Sequence, residues 1–310
     1  MILGTVYRST GSWYKVKIGD RIINCRIQGK LRLDGIKSTN PVVVGDKVVI
    51  KKDSSLGKNE GIIIKINPRE NYIVRKSVNL SKQTHIIAAN IDHAFLLITI
   101  KNPTTTTSFI DRFLITAEAY KINSTLVFNK IDTYDSESKS KIKEFKSIYE
   151  SIGYNCVEIS ALKLKNINKL HDLITNKVCM FSGHSGVGKS TLINALSPSL
   201  KLRTSSISEQ HKQGQHTTTF AEMFDLENGA KLIDTPGIKG FGLVDMKKNE
   251  ISKYFPEFNK VSDNCKFKNC LHVNEPKCEI KKNINLNLIS SSRYKSYLQL
   301  LEDDKIHRNL

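Results

Sequence analysis

Residues 181–191 read Phe-Ser-Gly-His-Ser-Gly-Val-Gly-Lys-Ser-Thr, a G-x-x-x-x-G-K-S pattern with Gly183, Gly188, Lys189 and Ser190 at its fixed positions. No other stretch constrains the chain as much, because the pattern demands a strand, a tight loop and a helix in that order. An apolar run, Val178-Cys-Met-Phe181, supplies the strand, and Thr191-Leu-Ile-Asn-Ala-Leu196 supplies the helix. Glycines let successive backbone N–H groups, through His184, Ser185, Gly186 and Val187, curl around the α- and β-phosphates of a nucleotide. Lys189 reaches the β/γ oxygens, the Ser190 hydroxyl ligates Mg²⁺, and Thr191 begins a helix that opens onto the phosphates. The plain alternative is a glycine-rich turn, and the flanking strand and helix argue against it.

Two motifs upstream bear on which base such a site would take. The apolar strand Ser124-Thr-Leu-Val-Phe128 ends in Asn129-Lys130-Ile131-Asp132, an N-K-x-D tetrapeptide at the carboxyl end of a strand, where open α/β sheets place ligands. The Asp132 carboxylate accepts from both N1–H and the exocyclic amine of guanine, a pair of donors adenine lacks. Asn129 bonds the base edge and braces the loop, while the Lys130 stem packs over the ring. A second strand, Cys156-Val-Glu-Ile159, ends in Ser160-Ala161, a turn similar to the one with which GTPases present backbone N–H groups to the guanine O6. Downstream, Ala230-Lys-Leu-Ile-Asp-Thr-Pro-Gly237 is a strand ending in D-x-x-G. Asp234 holds Mg²⁺ through water, and the Gly237 N–H contacts the γ-phosphate. The polar segment Gly214-Gln-His-Thr-Thr-Thr219 has the character of a switch loop, with one of Thr217, Thr218 and Thr219 as the Mg²⁺ ligand and Thr218 the candidate taken; its alternative is an ordinary surface loop.

The chain has 310 residues, enough for two or three domains, and 39% hydrophobic content suffices for a core. Net charge is +18, from 48 Lys+Arg against 30 Asp+Glu. The excess is either the mark of an AT-rich genome or a surface for a phosphate-backbone partner, and counterion release favours the latter on a nucleotide-binding chain. Met1–Arg8 lacks the basic start and long apolar middle of a secretory leader, and the most apolar window, 86–100, is broken by Asn90, Asp92 and His93. A cytoplasmic chain with no membrane span is expected.

Residues 1–70 alternate short apolar stretches with Gly, Asp and Asn, as five or so strands of an OB-type barrel would. Arg8, Lys15, Lys17, Arg21, Arg26, Lys30 and Arg32 would give that barrel a basic face, for RNA or merely for solvent. Residues 71–90 read as a connection. Ala94–Ile100 is a buried parallel strand, and helices are expected over 109–120, 139–152, 168–176 and 290–302. Of six cysteines, Cys25, Cys156 and Cys179 sit among apolar neighbours and read as core. The other three belong to Cys265-x4-Cys270-x-His272-x5-Cys278. Three thiolates and an imidazole make a complete tetrahedral set for structural Zn²⁺, with no open position for a catalytic water.

In Ras-like GTPases the phosphate loop precedes the base-reading motifs; here the base-reading motifs precede the phosphate loop, as a circular permutation would place them. The order, together with Ile110-Asp-Arg-Phe-Leu114, His216-Thr-Thr-Thr219 and the cysteine cluster, resembles the bacterial ribosome small-subunit-dependent GTPase family, RsgA (also called YjeQ), over essentially the whole chain. The resemblance implies an OB-like β barrel over 1–70, a circularly permuted α/β P-loop GTPase domain over 71–240 and a small zinc-binding domain with helices over 241–310. It implies GTP/GDP, Mg²⁺ and one structural Zn²⁺ as ligands, and the small (30S) ribosomal subunit and its rRNA as partners of a monomer. Ile238 stands where Ras-like enzymes place a water-orienting glutamine, and the resemblance assigns that role to His216, whose alternative is only to pack or cap its loop; Lys189, at the β/γ oxygens, is the other candidate catalytic residue. The rival reading is an RNA-binding module that keeps GTP as a structural or switch ligand with little turnover. An ATPase is disfavoured, since Asp132 mismatches adenine.

Overall fold

The computed structural model describes residues 1–28, 41–52, 59–76, 84–200, 221–234 and 246–302. Five strands open the chain: β1 (Ile2–Ser9), β2 (Tyr14–Ile18), β3 (Arg21–Ile27), β4 (Lys47–Lys52) and β5 (Glu60–Ile66). They are ordered β1-β2-β3-β5-β4, and a β1–β4 pairing closes the ring. Closure requires the one parallel pair in it, β3 with β5. Alternate residues point inward, so Val6, Tyr14, Val16, Cys25, Ile50 and Ile63 fill the barrel. The region read as a connection holds an antiparallel hairpin instead, β6 (Tyr72–Lys76) with β7 (Thr84–Ala89). Beneath it, Asp46 and Arg69 form a buried ion pair at 2.7 Å beside the barrel.

The central domain follows with β8 (His93–Ile98), α1 (Thr107–Ala119), β9 (Asn123–Phe128), α2 (Ser136–Ser151), β10 (Asn155–Glu158), α3 (Ile167–Ile174), β11 (Val178–Ser182), α4 (Lys189–Leu196), β12 (Glu222–Asp225) and β13 (Lys231–Asp234). Strands β10-β9-β8-β11-β13 are parallel neighbours, and β12 lies antiparallel at their far side. Both faces of a parallel sheet are covered, which is why these strands read as continuous apolar runs. Leu96, Ile98, Leu126, Phe128 and Met180 pack under α1 and α2. Phe95, Leu97, Val127, Cys179 and Phe181 pack on the opposite face with Leu170 of α3 and Leu192 of α4. Cys25, Cys156 and Cys179 are all buried, as expected of core thiols.

β12 also pairs with β1, through Arg8 and Glu222, so one sheet of eleven strands runs from the central domain into the barrel. Two residues expected to serve a basic outer face are used at this seam. Arg8 faces Glu222 at 3.8 Å, and Lys17 pairs with Asp225, whose other oxygen accepts from the Tyr7 hydroxyl at 2.6 Å. Lys30 and Arg32 lie outside the described residues.

The C-terminal part comprises α5 (Lys248–Ile251), α6 (Pro256–Asn259), α7 (Glu279–Asn285) and α8 (Ser291–Glu302). Its core, with Phe255, Phe258, Tyr297 and Leu300, takes in Ile115 of α1. At the seam Arg293 is 1% exposed; its Nε donates to Glu257 at 2.7 Å and its Nη1 to Asp111 of α1 at 2.8 Å. Among the described residues no helix is long and apolar enough to cross a membrane.

Candidate functional site

Parallel strands put their carboxyl ends on one side of the sheet, so the loops after β8, β9, β10 and β11 converge there. The loop after β11 is the glycine-rich stretch. Gly188 has φ +95°, and a Cβ there would lie 2.5 Å from Asn129 Nδ2. Only glycine allows both that conformation and that approach. Gly183, at φ +152°, would set a Cβ 2.9 Å from the Leu97 carbonyl oxygen. α4 starts at Lys189, so Ser190 and Thr191 occupy its first turn, both half-buried. His184 stacks on Phe109 of α1 with ring centroids 3.9 Å apart, and partial burial lowers its pKa, keeping the imidazole neutral at pH 7.

The N-K-x-D residues are tied to this loop directly. Asn129 is buried; its Nδ2 donates to the Val187 carbonyl at 2.8 Å, and its Oδ1 accepts from the Ala161 N–H at 3.0 Å. One amide side chain thus joins three loops: 129–132, 160–161 and the phosphate loop. Lys130 stands at φ +65°, and its ammonium donates to the carbonyls of Gly186 at 2.8 Å and Asn102 at 2.6 Å. Ile131 is half-buried, while Asp132 is exposed. Ser160 is buried, and its hydroxyl accepts from the Lys163 N–H at 3.0 Å, shaping the turn that presents Ala161. The loop after β8, which brings Asn102 here, carries no motif and was not singled out from the sequence. Neither was Tyr134, whose buried hydroxyl donates to the Asn129 carbonyl at 2.7 Å.

Asp234, at the end of β13, lies 3.3 Å from Lys189 Nζ, near enough for charge attraction but without hydrogen-bond alignment. A buried carboxylate oxygen with no donor fits the water shell of a divalent cation, which is the role its motif assigns. His216, Thr217, Thr218, Thr219, Gly237 and Ile238 lie outside the described residues.

The cysteine cluster forms a second site. The ligand atoms of Cys265, Cys270, His272 and Cys278 all lie within 4.8 Å of one another. His272 presents Nδ1, at 3.4 Å from Cys278 Sγ and 3.7 Å from Cys265 Sγ, spacings that suit four ligands on one tetrahedral ion. Burial keeps the imidazole neutral, with its lone pair available. Burial also pushes the Cys270 thiol up to about 12 and raises that of Cys278, so a cation must supply the charge that makes them thiolates. The peptide around His272, at φ +59°, is held by Glu275, whose carboxylate accepts from the N–H groups of Leu271 (2.7 Å), Val273 (2.9 Å) and Asn274 (3.1 Å). From α8, the Tyr294 hydroxyl donates to the His272 carbonyl at 2.7 Å. The four residues fit a structural zinc ion.

A closed five-stranded barrel, a P-loop sheet whose base-side strands come before its phosphate strand, and a Cys₃His centre define a circularly permuted GTPase with two appended modules. The comparisons agree. Residues 66–244 match the RsgA GTPase family and residues 3–63 the RsgA N-terminal domain. The small ribosomal subunit biogenesis GTPase RsgA of Christiangramia forsetii is 59% identical over 97% of this chain and 96% of its own length. That of Flavobacterium psychrophilum is 60% identical over 98% and 94%. Among solved structures, YjeQ from Thermotoga maritima superposes with a TM-score of 0.78 at 32% identity, covering 97% of both chains. YloQ, described as a circularly permuted GTPase, gives 0.74 at 27% identity over 97% of this chain and 94% of its own. The chain belongs to the RsgA GTPase family. GTP, GDP and Mg²⁺ are accordingly its nucleotide-site ligands.

Proposed function

We propose that this GTPase acts in biogenesis of the small ribosomal subunit, as the names of its relatives state for them, and that it leaves the subunit on hydrolysis. The observation that carries the guanine reading is the Asn129 side chain, which ties the base-reading loops to the phosphate loop and leaves Asp132 exposed beside them. In this reading Asp132 selects guanine, the Ala161 N–H meets O6, and the amides from Gly183 to Thr191 enclose the phosphates. Ser190, Thr218 and Asp234 hold Mg²⁺, Lys189 and the Gly237 N–H meet the γ-phosphate, and His216 orients the attacking water. The units 1–70, 71–240 and 241–310 would be barrel, GTPase and zinc domains of a cytoplasmic monomer.

The barrel and the zinc module are the proposed rRNA contacts. Supporting this, the Arg26 guanidinium lies 4.1 Å over the half-exposed Trp13 ring, a cationic stacking surface of the kind single-stranded RNA uses. Near the zinc centre Lys266 sits over the exposed Phe267 ring at 5.2 Å. The test is sedimentation with purified small subunits in two nucleotide states. Tight co-sedimentation with a non-hydrolysable GTP analogue and release with GDP are expected; equal affinity in both states contradicts the cycle. His216→Ala should retain GTP affinity and lose turnover.

A further inference from the structure

The β8–β9 ladder has an irregular final rung, and it falls where the guanine-side loop begins. The last paired residues are Ile98 and Phe128, and the Asn129 N–H still donates to the Ile98 carbonyl at 2.9 Å. In a parallel ladder the residue that donates backward also accepts from two residues further along the neighbouring strand. The next rung should therefore run from the Ile100 N–H to the Asn129 carbonyl. Instead the Tyr134 hydroxyl occupies it, accepting from the Ile100 N–H at 3.0 Å and donating to the Asn129 carbonyl at 2.7 Å. The phenol both accepts and donates here, and its ring is 6% exposed in the core shared with Ile98 and Phe128.

A hydroxyl in a rung holds the two backbone groups farther apart than a direct bond would. The strands consequently separate at Asn129, the residue whose amide joins the phosphate loop to Ala161. Immediately afterwards the chain turns through the left-handed Lys130 to reach Asp132. On the other strand, Ile100 leads within two residues to Asn102, whose carbonyl holds the Lys130 ammonium. The tyrosine thus sits between both arms of the base-side loop, and its replacement by a direct rung would draw them together.

We propose that Tyr134 is a positioning residue for guanine recognition, its hydroxyl rung setting the distance of Asp132 from the phosphate loop. The proposal rests on residues 129–132 being the base-reading loop. Full-length wild type, Tyr134→Phe and Asp132→Ala are compared by dissociation of a fluorescent GDP and its competition with GDP and inosine diphosphate, which lacks the exocyclic amine. Dissociation is read only from molecules that have bound nucleotide, so an unfolded fraction does not enter. Tyr134→Phe is expected to weaken GDP binding about tenfold, because the base-side loop no longer holds Asp132 at its distance from the phosphate loop. It should also shrink the preference for GDP over inosine diphosphate, and place the loss for GTP in KM rather than kcat. Tyr134→Met, which also lacks the hydroxyl, should do the same. Unchanged GDP affinity and preference in Tyr134→Phe, with only a lower melting temperature, would overturn the proposal. If Asp132→Ala also leaves affinity and preference unchanged, the base-loop reading itself has failed. If only Asp132→Ala weakens binding, the reading stands and the role of Tyr134 does not.

Discussion

At the scale of single residues, two glycines of the phosphate loop are constrained by neighbours outside it, Gly183 by Leu97 and Gly188 by Asn129. Gly188 is required both by its left-handed φ of +95° and because Asn129 Nδ2 lies where its side chain would begin. Gly188→Ala is therefore expected to displace Asn129 and weaken GDP binding at least about tenfold, measured by titration calorimetry, with little change in far-UV circular dichroism. His93, on β8, carries a separate consequence. Burial above all, with the Lys177 charge, lowers its imidazole from 6.5 to about 4, against a smaller opposing effect of Asp92. The folded state refuses a proton that the unfolded chain accepts, so this contribution to stability is complete above about pH 6.5 and is lost as pH falls toward 4. His93→Gln should flatten the fall of melting temperature over that window. Asn129, Lys130 and Asp132 were legible in the sequence because their chemistry is contiguous. Asn102 and Tyr134 were not, because a backbone carbonyl and a tyrosine in a turn carry no pattern until the strands are placed side by side.

Among the elements, helices with a clear apolar stripe, such as α1 and α8, were legible to within a few residues. β6, β7 and β12 were not, because short strands of mixed polarity are defined by their partners more than by their own sequence. Equally illegible was the joint between α1 and α8, where Asp111 and Arg293 meet across 182 positions of sequence. α1 packs Ile110, Phe113, Leu114 and Ala117 on the sheet and gives Ile115 to the C-terminal core, so it belongs to both. Arg293→Ala leaves two buried carboxylates, Asp111 and Glu257, without their cation, a loss of about 3–5 kcal/mol that urea titration would read. The zinc loop is a different kind of element, with little core of its own and two thiols, Cys270 and Cys278, that burial raises above the ordinary thiol range. Chelation should make residues 265–289 protease-sensitive while GDP affinity stays within about twofold, a separation expected if metal binding and local folding are one event. Loss of GDP binding on chelation would contradict it.

For the whole molecule, chain order carried the most information. A phosphate loop alone indicates a triphosphate; the same loop placed after its base-reading motifs indicates a permuted GTPase, and the cysteine cluster beyond it indicates the family. What sequence order could not reveal is that barrel and GTPase domain share one sheet through β1 and β12, with Arg8 and Lys17 committed to that seam. The β12–β13 hairpin ends in Asp234, so the strand that carries this carboxylate is hydrogen-bonded to the strand on which the barrel rests. The C-terminal module, for its part, grips α1, whose Phe109 lies against the phosphate-loop residue His184. Both appended modules thus rest on elements that reach the phosphate loop or Asp234, so the proposed subunit contacts are two short steps from the proposed GTP site. The most direct test is multiple-turnover phosphate release from GTP with and without purified small ribosomal subunits. Slow release by the isolated protein, accelerated at least about tenfold by subunits and not competed by equimolar ATP, is the expected result. A rate that subunits leave unchanged, or that ATP competes away, would contradict the account.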